Sequence, residues 1–338
     1  MSEYASQPSP NLFFETANAY QRSAALETAV DLGLFTAVGP AGATAQEAAQ
    51  QCQAADRGVR ILCDYLTIGG FLTKQDDTYH LTPDSAMFLD QSSPAYLGGA
   101  LKFLHSSTLM EGFQHLTAAV RKGGTALPGE GTLGFEHPVW EDFARGMMPL
   151  MFVPAQLMAK CVPCDPDRKL KVLDIAAGHG IFGIALAQRY PKIEVVAQDW
   201  PLVLEVATEN AHKMGIGDRH TTLPGSAFDV EFGSGYDLVL LTNFLHHFDV
   251  PTCEVLLKKV HAALAEGGRA VTLDFIPNAD RISPPGTASF SLVMLASTPQ
   301  GDAYTFSEYQ AMFHNAGFKQ SELISLPPTP NQIIISQK

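Results

Sequence analysis

Apolar residues recur at helical spacing through the first hundred positions, separated by short polar turns. This pattern predicts helices over Phe13–Leu34, Ala45–Gln51 and Asp56–Gly69. Two β-like runs, Phe71–Lys74 and Thr78–Leu81, flank a polar turn and predict a hairpin. Three helices followed by a hairpin is the element order of a winged helix.

The pattern changes after about residue 165, where short apolar runs alternate with amphipathic stretches. Such alternation predicts a parallel, doubly wound sheet. The last two β-like runs, 319–326 and 332–336, are joined by a loop too short for a helical crossover, so they predict an antiparallel hairpin. The other predicted strands are Lys171–Ile175, Glu194–Gln198, His220–Leu223, Tyr236–Thr242 and Arg269–Asp274, and the predicted helices are Ile181–Tyr190, Leu202–Met214, Thr252–Leu264 and Ser307–Ala316.

Composition narrows the class of protein. The 338 residues are 46% hydrophobic and 17% charged, as expected for a globular chain of about two domains. The formal net charge is −13, and residues 1–100 carry only four basic side chains against eleven acidic ones. An acidic surface opposes the binding of nucleic acid and of anionic lipid. We therefore expect neither partner, and the DNA-binding interpretation of the winged-helix order is weak.

Several apolar side chains of the first hundred residues exceed what a small helical domain needs for its own core. They predict a two-fold interface and a homodimer. The set is Phe13, Phe14, Leu32, Leu34, Phe35, Leu62 and Leu66.

The N-terminus lacks the basic start and apolar core of a signal peptide, and no apolar run approaches the roughly 20 residues that span a bilayer. We expect a cytoplasmic protein with no membrane partner, whose five cysteines are reduced. Cys161 and Cys164 form a lone CxxC motif without the second pair that a zinc site needs, so we expect no metal.

A glycine-rich loop follows the first predicted strand of the second half. Residues Gly178–Gly183 match GxGxxG, a pattern that turns the chain tightly and lets a ligand approach the backbone. Asp199, at the end of the next strand, can accept hydrogen bonds from ribose hydroxyls, which alone would fit NAD. Asp174, however, is expected to point negative charge into the crevice. That charge would repel a pyrophosphate and suit a ligand with an ammonium and a sulfonium group.

Together with later segments, this loop resembles the class I S-adenosylmethionine-dependent methyltransferases. The segments are Asp199-Trp200-Pro201, Gly225-Ser226-Ala227-Phe228, Tyr236–Leu241 and Leu264–Arg269. More narrowly, residues 11–338 resemble the small-molecule O-methyltransferases, similar to the plant caffeate and acetylserotonin enzymes, in a bacterial branch. The resemblance implies an α/β, Rossmann-like doubly wound sheet. It also implies a winged-helix dimerisation domain over 1–100, a helical linker that contributes to the substrate pocket over 101–165, and a catalytic domain over 166–338.

The resemblance also implies where the cofactor, S-adenosylmethionine, is held. The methionine cradle corresponds to Ala176, Gly178 and Gly180, the ribose to Asp199, and the adenine to Trp200, Ser226, Ala227 and Phe228; Asp174, Thr242 and Asn243 complete the predicted cofactor site. The chain departs from the family pattern where Ala176 and Ala177 replace glycines and Ser226 replaces an aspartate. Serine is a poorer acceptor for the exocyclic amine of adenine.

The segment Asn243–Asp249 follows a strand, at the rim where such sheets bind ligands. A phenol is a poor nucleophile at pH 7, so a histidine base accelerates its methylation by about 10²- to 10⁴-fold. The family's general base corresponds to His246, and an acidic residue that flanks it corresponds to Asp274. Two departures follow: His247 replaces the usual acidic neighbour, and Ala303 replaces the second flanking acid.

The predicted acceptor pocket consists of Phe103, Met147, Met151, His247, Phe290 and Met294. The leading prediction is an enzyme that transfers methyl from S-adenosylmethionine to a hydroxyl of an aromatic or polyketide-like small molecule, leaving S-adenosylhomocysteine. Three alternatives stay open. They are a relative that uses the bound sulfonium for a rearrangement or cyclisation without methyl transfer, a DNA-binding regulator and, more distantly, an NAD-dependent oxidoreductase.

Overall fold

The computed structural model describes residues 8–134 and 139–338. The chain divides into two compact units, Met1–Leu101 and Lys102–Lys338. The finer division into a linker over 101–165 and a catalytic domain from residue 166 stays a prediction.

The first unit combines short helices with a small antiparallel sheet in the strand order β1-β3-β2. Its elements are α1 (Asn11–Ala17), α2 (Ala19–Asp31), α3 (Leu34–Val38), β1 (Ala43–Thr44), α4 (Ala45–Gln51), α5 (Asp56–Ile68), β2 (Leu72–Gln75), β3 (Thr78–Leu81) and α6 (Pro83–Phe88); α7 (Leu101–Leu104) follows at the boundary.

The long helix predicted over Phe13–Leu34 is divided into three. A break at Asn18 separates α1 from α2, and Gly33 adopts a left-handed φ of 64° between α2 and α3. Glycine suits this turn because it has no Cβ to oppose a positive φ. The predicted hairpin is confirmed, with Gln75 of β2 opposite Thr78 of β3.

The apolar set predicted to form a two-fold interface is partly the unit's own core. Leu34, Phe35 and Leu66 are at most 1% exposed, so the prediction is wrong for these three side chains. Phe13 and Phe14 of α1, by contrast, are 67% and 56% exposed. Helix α1 has no buried residue.

The second unit is built on a seven-stranded sheet in the order β6-β5-β4-β7-β8-β10-β9. Neighbouring strands from β6 to β8 are parallel, whereas β10 is antiparallel to both β8 and β9, which confirms the predicted hairpin. The strands are β4 (Leu170–Ile175), β5 (Ile193–Asp199), β6 (His220–Pro224), β7 (Tyr236–Thr242), β8 (Leu264–Asp274), β9 (Gln320–Ser325) and β10 (Gln332–Gln337).

Helices alternate with these strands. The chain runs from β4 to β6 in one direction and from β7 to β8 in the other, so right-handed crossovers place the two groups of helices on opposite faces. The helices are α8 (Ser107–Gln114), α9 (Leu116–Lys122), α10 (Val139–Gly146), α11 (Met148–Cys161), α12 (Ile181–Arg189), α13 (Pro201–Lys213), α14 (Val250–Ala263), α15 (Pro285–Ala288), α16 (Phe290–Ser297) and α17 (Phe306–Asn315).

From β4 the chain adds strands towards one edge of the sheet, and at β7 it begins to add strands on the other side of β4. Loops that leave neighbouring strands in opposite directions open a crevice at the carboxyl ends of those strands. Close packing of α12 fixes one wall: a Cβ on Gly183 would lie 2.8 Å from Cγ1 of Val195 and 2.9 Å from Oδ2 of Asp174. The third glycine of the GxGxxG pattern is therefore required for packing of the helix on the sheet.

Candidate active site

A cavity of about 780 Å³ lies at the carboxyl ends of the parallel strands. This volume is within the usual range for ligand pockets and has room for more than one small molecule. The loops after five strands reach it through Gly178, Asp199, Ser226, His246 and Phe275, and helices α10, α11 and α16 line its other side.

The glycine loop presents its backbone to the cavity. Gly178 has a left-handed φ of 57°, and a Cβ there would lie 3.3 Å from the ring of Phe143. Ala176 also has a left-handed φ, 51°, at a position where the family pattern has glycine; this conformation costs a non-glycine residue about 1–2 kcal/mol. Both residues line the cavity. Gly180 does not, because it turns the chain into α12.

Asp199 lines the cavity from the end of β5. Its two carboxylate oxygens accept backbone N–H groups, from Gly178 at 2.8 Å and from Trp200 at 2.7 Å. Burial raises the pKa of Asp199 to about 6, although these two hydrogen bonds oppose the rise. The carboxylate therefore fixes the glycine loop against the next strand and is mostly ionised at pH 7.

Ser226, Ala227 and Phe228, the residues that the resemblance assigns to the adenine, line the cavity together with Asp199. The hydroxyl oxygen of Ser226 accepts the backbone N–H of Phe228 at 3.2 Å and so supports the turn. Asp229, which was not predicted, also lines the cavity. Its signal in the sequence was an acidic residue three positions after the serine that replaces the usual aspartate.

The expectation for Asp174 is wrong. Asp174 is 1% exposed and does not line the cavity; its Oδ2 accepts the backbone N–H of Gly183 at 3.1 Å, and its Oδ1 has no hydrogen-bond partner. Burial, with a smaller contribution from the charge of Asp199, raises the pKa of Asp174 to about 8. Asp174 is therefore mainly neutral at pH 7 and lies beneath the start of α12.

The titration of Asp174 predicts a pH dependence of stability in the cofactor-free protein. Between pH 4 and pH 8 the folded state keeps a proton that the unfolded state has released, so the free energy of unfolding falls as pH rises through this window. Between pH 6.5 and pH 8, we expect the free energy of unfolding of Asp174→Asn to fall by about 1 kcal/mol less per pH unit than that of the wild type. Urea unfolding at a series of pH values measures this, and parallel profiles would contradict it.

A buried hydrogen-bonded pair follows β7 and β8. Nδ1 of His246 lies 2.5 Å from Oδ1 of Asp274, and the two residues are 3% and 0% exposed. Because a carboxylate only accepts hydrogen bonds, Nδ1 carries the hydrogen of this contact. His246 lines the cavity, whereas Asp274 lies behind it.

Asp274 has two further donors. Its Oδ1 also accepts the backbone N–H of Phe275 at 2.8 Å, and its Oδ2 accepts the hydroxyl of Tyr309 at 2.7 Å. Tyr309, which is fully buried on α17, was not predicted because it lies 35 residues from Asp274 in a segment with no motif. Burial, and then the charge of Asp274, raise the pKa of Tyr309 well above 10, so its hydroxyl remains a donor.

The position of the second flanking acid carries no charge. Ala303 is fully buried, and the backbone before it packs directly on the histidine: Asp302 donates its N–H to the carbonyl oxygen of His246 at 2.9 Å. A Cβ on Gly301 would lie 2.4 Å from that same oxygen. Asp302 itself pairs with Arg281 at 3.0 Å. The backbone of this loop therefore takes the space beside the histidine.

His247 lines the cavity next to His246, with the two ring centroids 4.2 Å apart. Its Nδ1 donates to the carbonyl oxygen of Phe244 at 3.0 Å. Burial, and then the neighbouring His246, lower the pKa of His247 well below 6.5. His247 is therefore a neutral ring that offers Nε2 as an acceptor.

The strand end of β7 adds Thr242 and Asn243, both of which line the cavity as predicted. Asn243 has a left-handed φ of 51°, and its side-chain oxygen is buried without a hydrogen-bond partner. Its amide nitrogen donates to the sulfur of Met151 at 3.6 Å. The unpartnered oxygen is an acceptor available to a ligand.

The apolar residues predicted for the acceptor pocket all line the cavity: Phe103, Met147, Met151, Phe290 and Met294. Sequence reasoning missed Trp140, whose ring lies 5.2 Å from that of His247 and whose Nε1 donates to the carbonyl oxygen of Thr132 at 3.0 Å. It also missed Phe275, which stacks on Phe290 at 4.3 Å. Aromatic rings thus surround the histidine pair.

In the described ranges, 8–134 and 139–338, no three His, Cys, Asp or Glu side chains come together as ligands for a metal ion. Within the same ranges, no helix has both the length and the apolar character needed to cross a bilayer.

Comparison with known families identifies the chain. A profile of the O-methyltransferase domain matches residues 113–319, and a profile of the O-methyltransferase dimerisation domain matches residues 14–91. The chain belongs to the O-methyltransferase family. This membership confirms the predicted enzyme class and its cofactor, S-adenosylmethionine.

Three proteins illustrate the similarity. A crystal structure from Nostoc punctiforme PCC 73102, described as a candidate O-methyltransferase, is 58% identical and covers 98% of this chain and 100% of its own, with a TM-score of 0.95. The 3-hydroxy-5-methyl-1-naphthoate 3-O-methyltransferase of Streptomyces sahachiroi is 27% identical over 97% of this chain and 95% of its own length. Human N-acetylserotonin methyltransferase in complex with S-adenosylmethionine, 21% identical, covers 100% of this chain and 99% of its own, with a TM-score of 0.85.

The fold of this O-methyltransferase is therefore the predicted one, a class I methyltransferase sheet with an antiparallel hairpin and a mostly helical N-terminal unit. The residues of the cavity are chemically suited to the cofactor of the family. The Asp199 carboxylate matches ribose hydroxyls, and the unpartnered oxygen of Asn243 matches an ammonium or hydroxyl donor.

Proposed function

We propose that this O-methyltransferase methylates a hydroxyl of an aromatic small molecule and that His246 is its general base. The observation that carries the proposal is the histidine that lines the cavity while its Nδ1 is held by the buried Asp274 at 2.5 Å. That contact fixes the ring and leaves Nε2 as the base. The aromatic acceptor of the Streptomyces sahachiroi relative supports an aromatic substrate here.

The cofactor-binding residues follow from the cavity lining. We assign the methionine part to the backbone of Ala176 and Gly178 and to Asn243, and the ribose to Asp199. We assign the adenine to the group Trp200, Ser226, Ala227 and Phe228. When bound, S-adenosylmethionine supplies an electrophilic methyl group on a positively charged sulfur. Gly180 shapes the loop without lining the cavity, and Asp174 supports α12 from beneath.

His246 performs the proton transfer. Its Nε2 accepts the proton of the acceptor hydroxyl, which makes that oxygen a better nucleophile and contributes about 10²- to 10⁴-fold to the rate. The ring then becomes an imidazolium, and Asp274 stabilises its charge at 2.5 Å. Tyr309 and the N–H of Phe275 hold the carboxylate in place through the two hydrogen bonds described above. A single buried acid thus supports the base where the family pattern has two.

The aromatic lining orients the acceptor ring. Trp140, Phe275 and Phe290 present edges and faces around the histidine pair, and such contacts favour a planar aromatic ligand. Met147, Met151 and Met294 adapt to its outline, since methionine side chains are flexible. Burial of the acceptor also keeps water away from the methyl donor.

We also propose that the enzyme is a homodimer through residues 1–100. The match to the dimerisation domain supports this. Exposed apolar side chains on α1, namely Leu12, Phe13 and Phe14, give the interface a physical basis.

The proposal is tested by calorimetry and by a transfer assay. S-adenosylhomocysteine should bind tightly and NAD should not bind. Incubation with S-adenosylmethionine and a panel of hydroxylated aromatics should yield stoichiometric S-adenosylhomocysteine and methylated product. Consumption of an acceptor without S-adenosylhomocysteine would instead favour a rearrangement or cyclisation that keeps the cofactor intact.

Tyr309→Phe should lower kcat by about 3- to 30-fold, because Asp274 loses one of its three donors and holds the histidine less firmly. The KM for the acceptor and the dissociation constant of S-adenosylhomocysteine should stay unchanged. Tyr304→Phe is the matched control, since Tyr304 is a nearby buried tyrosine whose hydroxyl donates to the carbonyl of Phe248 rather than to Asp274. Equal losses of kcat in the two variants would contradict a positioning role.

A further inference from the structure

We infer that the acceptor is an uncharged aromatic compound bearing hydroxyl groups, and that aromatic carboxylates are poor substrates. The inference rests on the proposed function, because it names the chemical class that the acceptor side of the same cavity selects. It is drawn from the charges and the hydrogen-bonding groups that line this cavity.

The cavity lining lacks fixed positive charge. Among the described residues that line it there is no lysine or arginine, whereas Glu130, Asp199, Asp229 and Asp249 contribute carboxyl groups. A ligand carboxylate that enters such a site gives up its hydration and meets no lysine or arginine side chain in return. A neutral ligand gives up far less, because hydroxyl groups are less strongly hydrated than ions.

Three basic side chains on elements near the cavity already have partners. Arg145 of α10 pairs with Glu141 at 3.0 Å. Arg281, in the loop after β8, pairs with Asp302 at 3.0 Å and with a second acid on α17. Lys122, at the end of α9, donates to the carbonyl oxygen of its neighbour Thr125 at 2.8 Å. Recruiting any of them to a substrate would break an existing contact.

The two histidines do not supply the missing cation. His247 donates from Nδ1 to the carbonyl of Phe244, and its low pKa keeps the ring neutral. Any positive charge on His246 is already matched by Asp274, whose Oδ1 lies 2.5 Å from Nδ1 of His246. A substrate carboxylate would therefore face the neutral ring of His247 and a ring of His246 that is backed by an acid.

Several polar atoms of the lining are available only as acceptors. Ser297 and Thr132 have their hydroxyl hydrogens engaged, donating to the carbonyls of Val293 at 2.7 Å and of Ser297 at 3.1 Å, so each offers only lone pairs. With Nε2 of His247, these groups match a ligand that brings hydroxyl hydrogens rather than carboxylate oxygens.

Matched acceptors test this directly. 3-Hydroxy-1-naphthoate and 3-hydroxy-1-naphthamide have nearly the same size and differ in charge, and 2-naphthol lacks the substituent. We expect kcat/KM for the amide and the naphthol to exceed that for the carboxylate by at least about tenfold. The naphthoate methyltransferase of Streptomyces sahachiroi serves as the reference enzyme that accepts a carboxylate. Equal or better use of the carboxylate by this chain overturns the inference.

A charge-introducing variant supplies the converse test. Val293→Lys places an ammonium on α16 in the cavity lining, and Val293→Gln is its uncharged control of similar length. The lysine variant should raise kcat/KM for the carboxylate at least about tenfold over the glutamine variant, and not for the amide. An equal response of both acceptors counts against the inference. If S-adenosylhomocysteine binds but neither uncharged nor charged acceptors are methylated, the proposed function itself is rejected. That result differs from failure of the inference, in which the carboxylate is methylated as well as the amide.

Discussion

Replacing His246 with asparagine is expected to lower kcat for methyl transfer by about 10²- to 10⁴-fold, the contribution of a positioned general base. Asparagine fills part of the space of the imidazole and can still contact Asp274, but it cannot accept a proton at neutral pH. The hydrogen bond of His246, from Nδ1 to Asp274, involves no residue that is assigned to the cofactor. The dissociation constant of S-adenosylhomocysteine should therefore stay within about twofold of the wild-type value.

His247→Asn is the matched control for this experiment. His247 is a second buried histidine of the same cavity, but its Nδ1 is bound to the carbonyl of Phe244, and no carboxylate of the described residues pairs with it. We expect it to change the KM for the acceptor more than kcat. Loss of kcat to the same extent in both variants, or retention of kcat in His246→Asn, would contradict His246 as the base.

Asp199→Asn is expected to weaken binding of S-adenosylhomocysteine on the order of 100-fold, the loss of charge-assisted hydrogen bonds to the ribose. The substitution also disturbs the loop, because the two oxygens of Asp199 accept N–H groups from Gly178 and Trp200. An asparagine NH₂ would face one of these donors and repel it. Calorimetric titration of the folded variant measures the affinity.

The pH dependence of S-adenosylhomocysteine binding distinguishes the loss of the Asp199 charge from the disturbance of the loop that Asp199 holds. Because the pKa of Asp199 in the cofactor-free protein is about 6, wild-type affinity should decline as pH falls below 6 and the carboxyl takes up a proton. Asp199→Asn should not show this decline. Asp229→Asn, a second acid that lines the cavity, is the control and should keep both the affinity and its pH dependence.

The parts of the site that the sequence predicted are those carried by short segments at strand ends. Gly178, Asp199 and His246 each lie within a few residues of the end of a parallel strand, and parallel strands bring their carboxyl ends to the same edge. Tyr309 and Trp140 come from helices far along the chain, where nothing local marks them as partners of the site. Their positions depend on tertiary packing.

For Asp174 the sequence predicted the position at the end of a strand correctly but predicted the direction of the side chain wrongly. It is the penultimate residue of β4, and successive side chains of a strand point to opposite faces. The side chain therefore lies under α12, against Gly183, and not in the crevice. The apolar set of the N-terminal unit fails for a related reason, since composition alone cannot separate a domain's own core from an interface. Only the packing of α3 in the structure shows that Leu34 and Phe35 lie in the core of the unit.

The late position of β10 in the sequence affects how the sheet folds. Gln332 of β10 pairs with Asp274, so the strand that carries the proposed partner of His246 gains its second neighbour only after synthesis has passed residue 332. Until then β8 is an open edge with unpaired backbone groups, the kind of template on which chains associate wrongly. Contacts this distant along the chain also slow folding. Pairing of β10 with β8 is therefore expected to stabilise the contact between His246 and Asp274, because Asp274 is the last residue of β8.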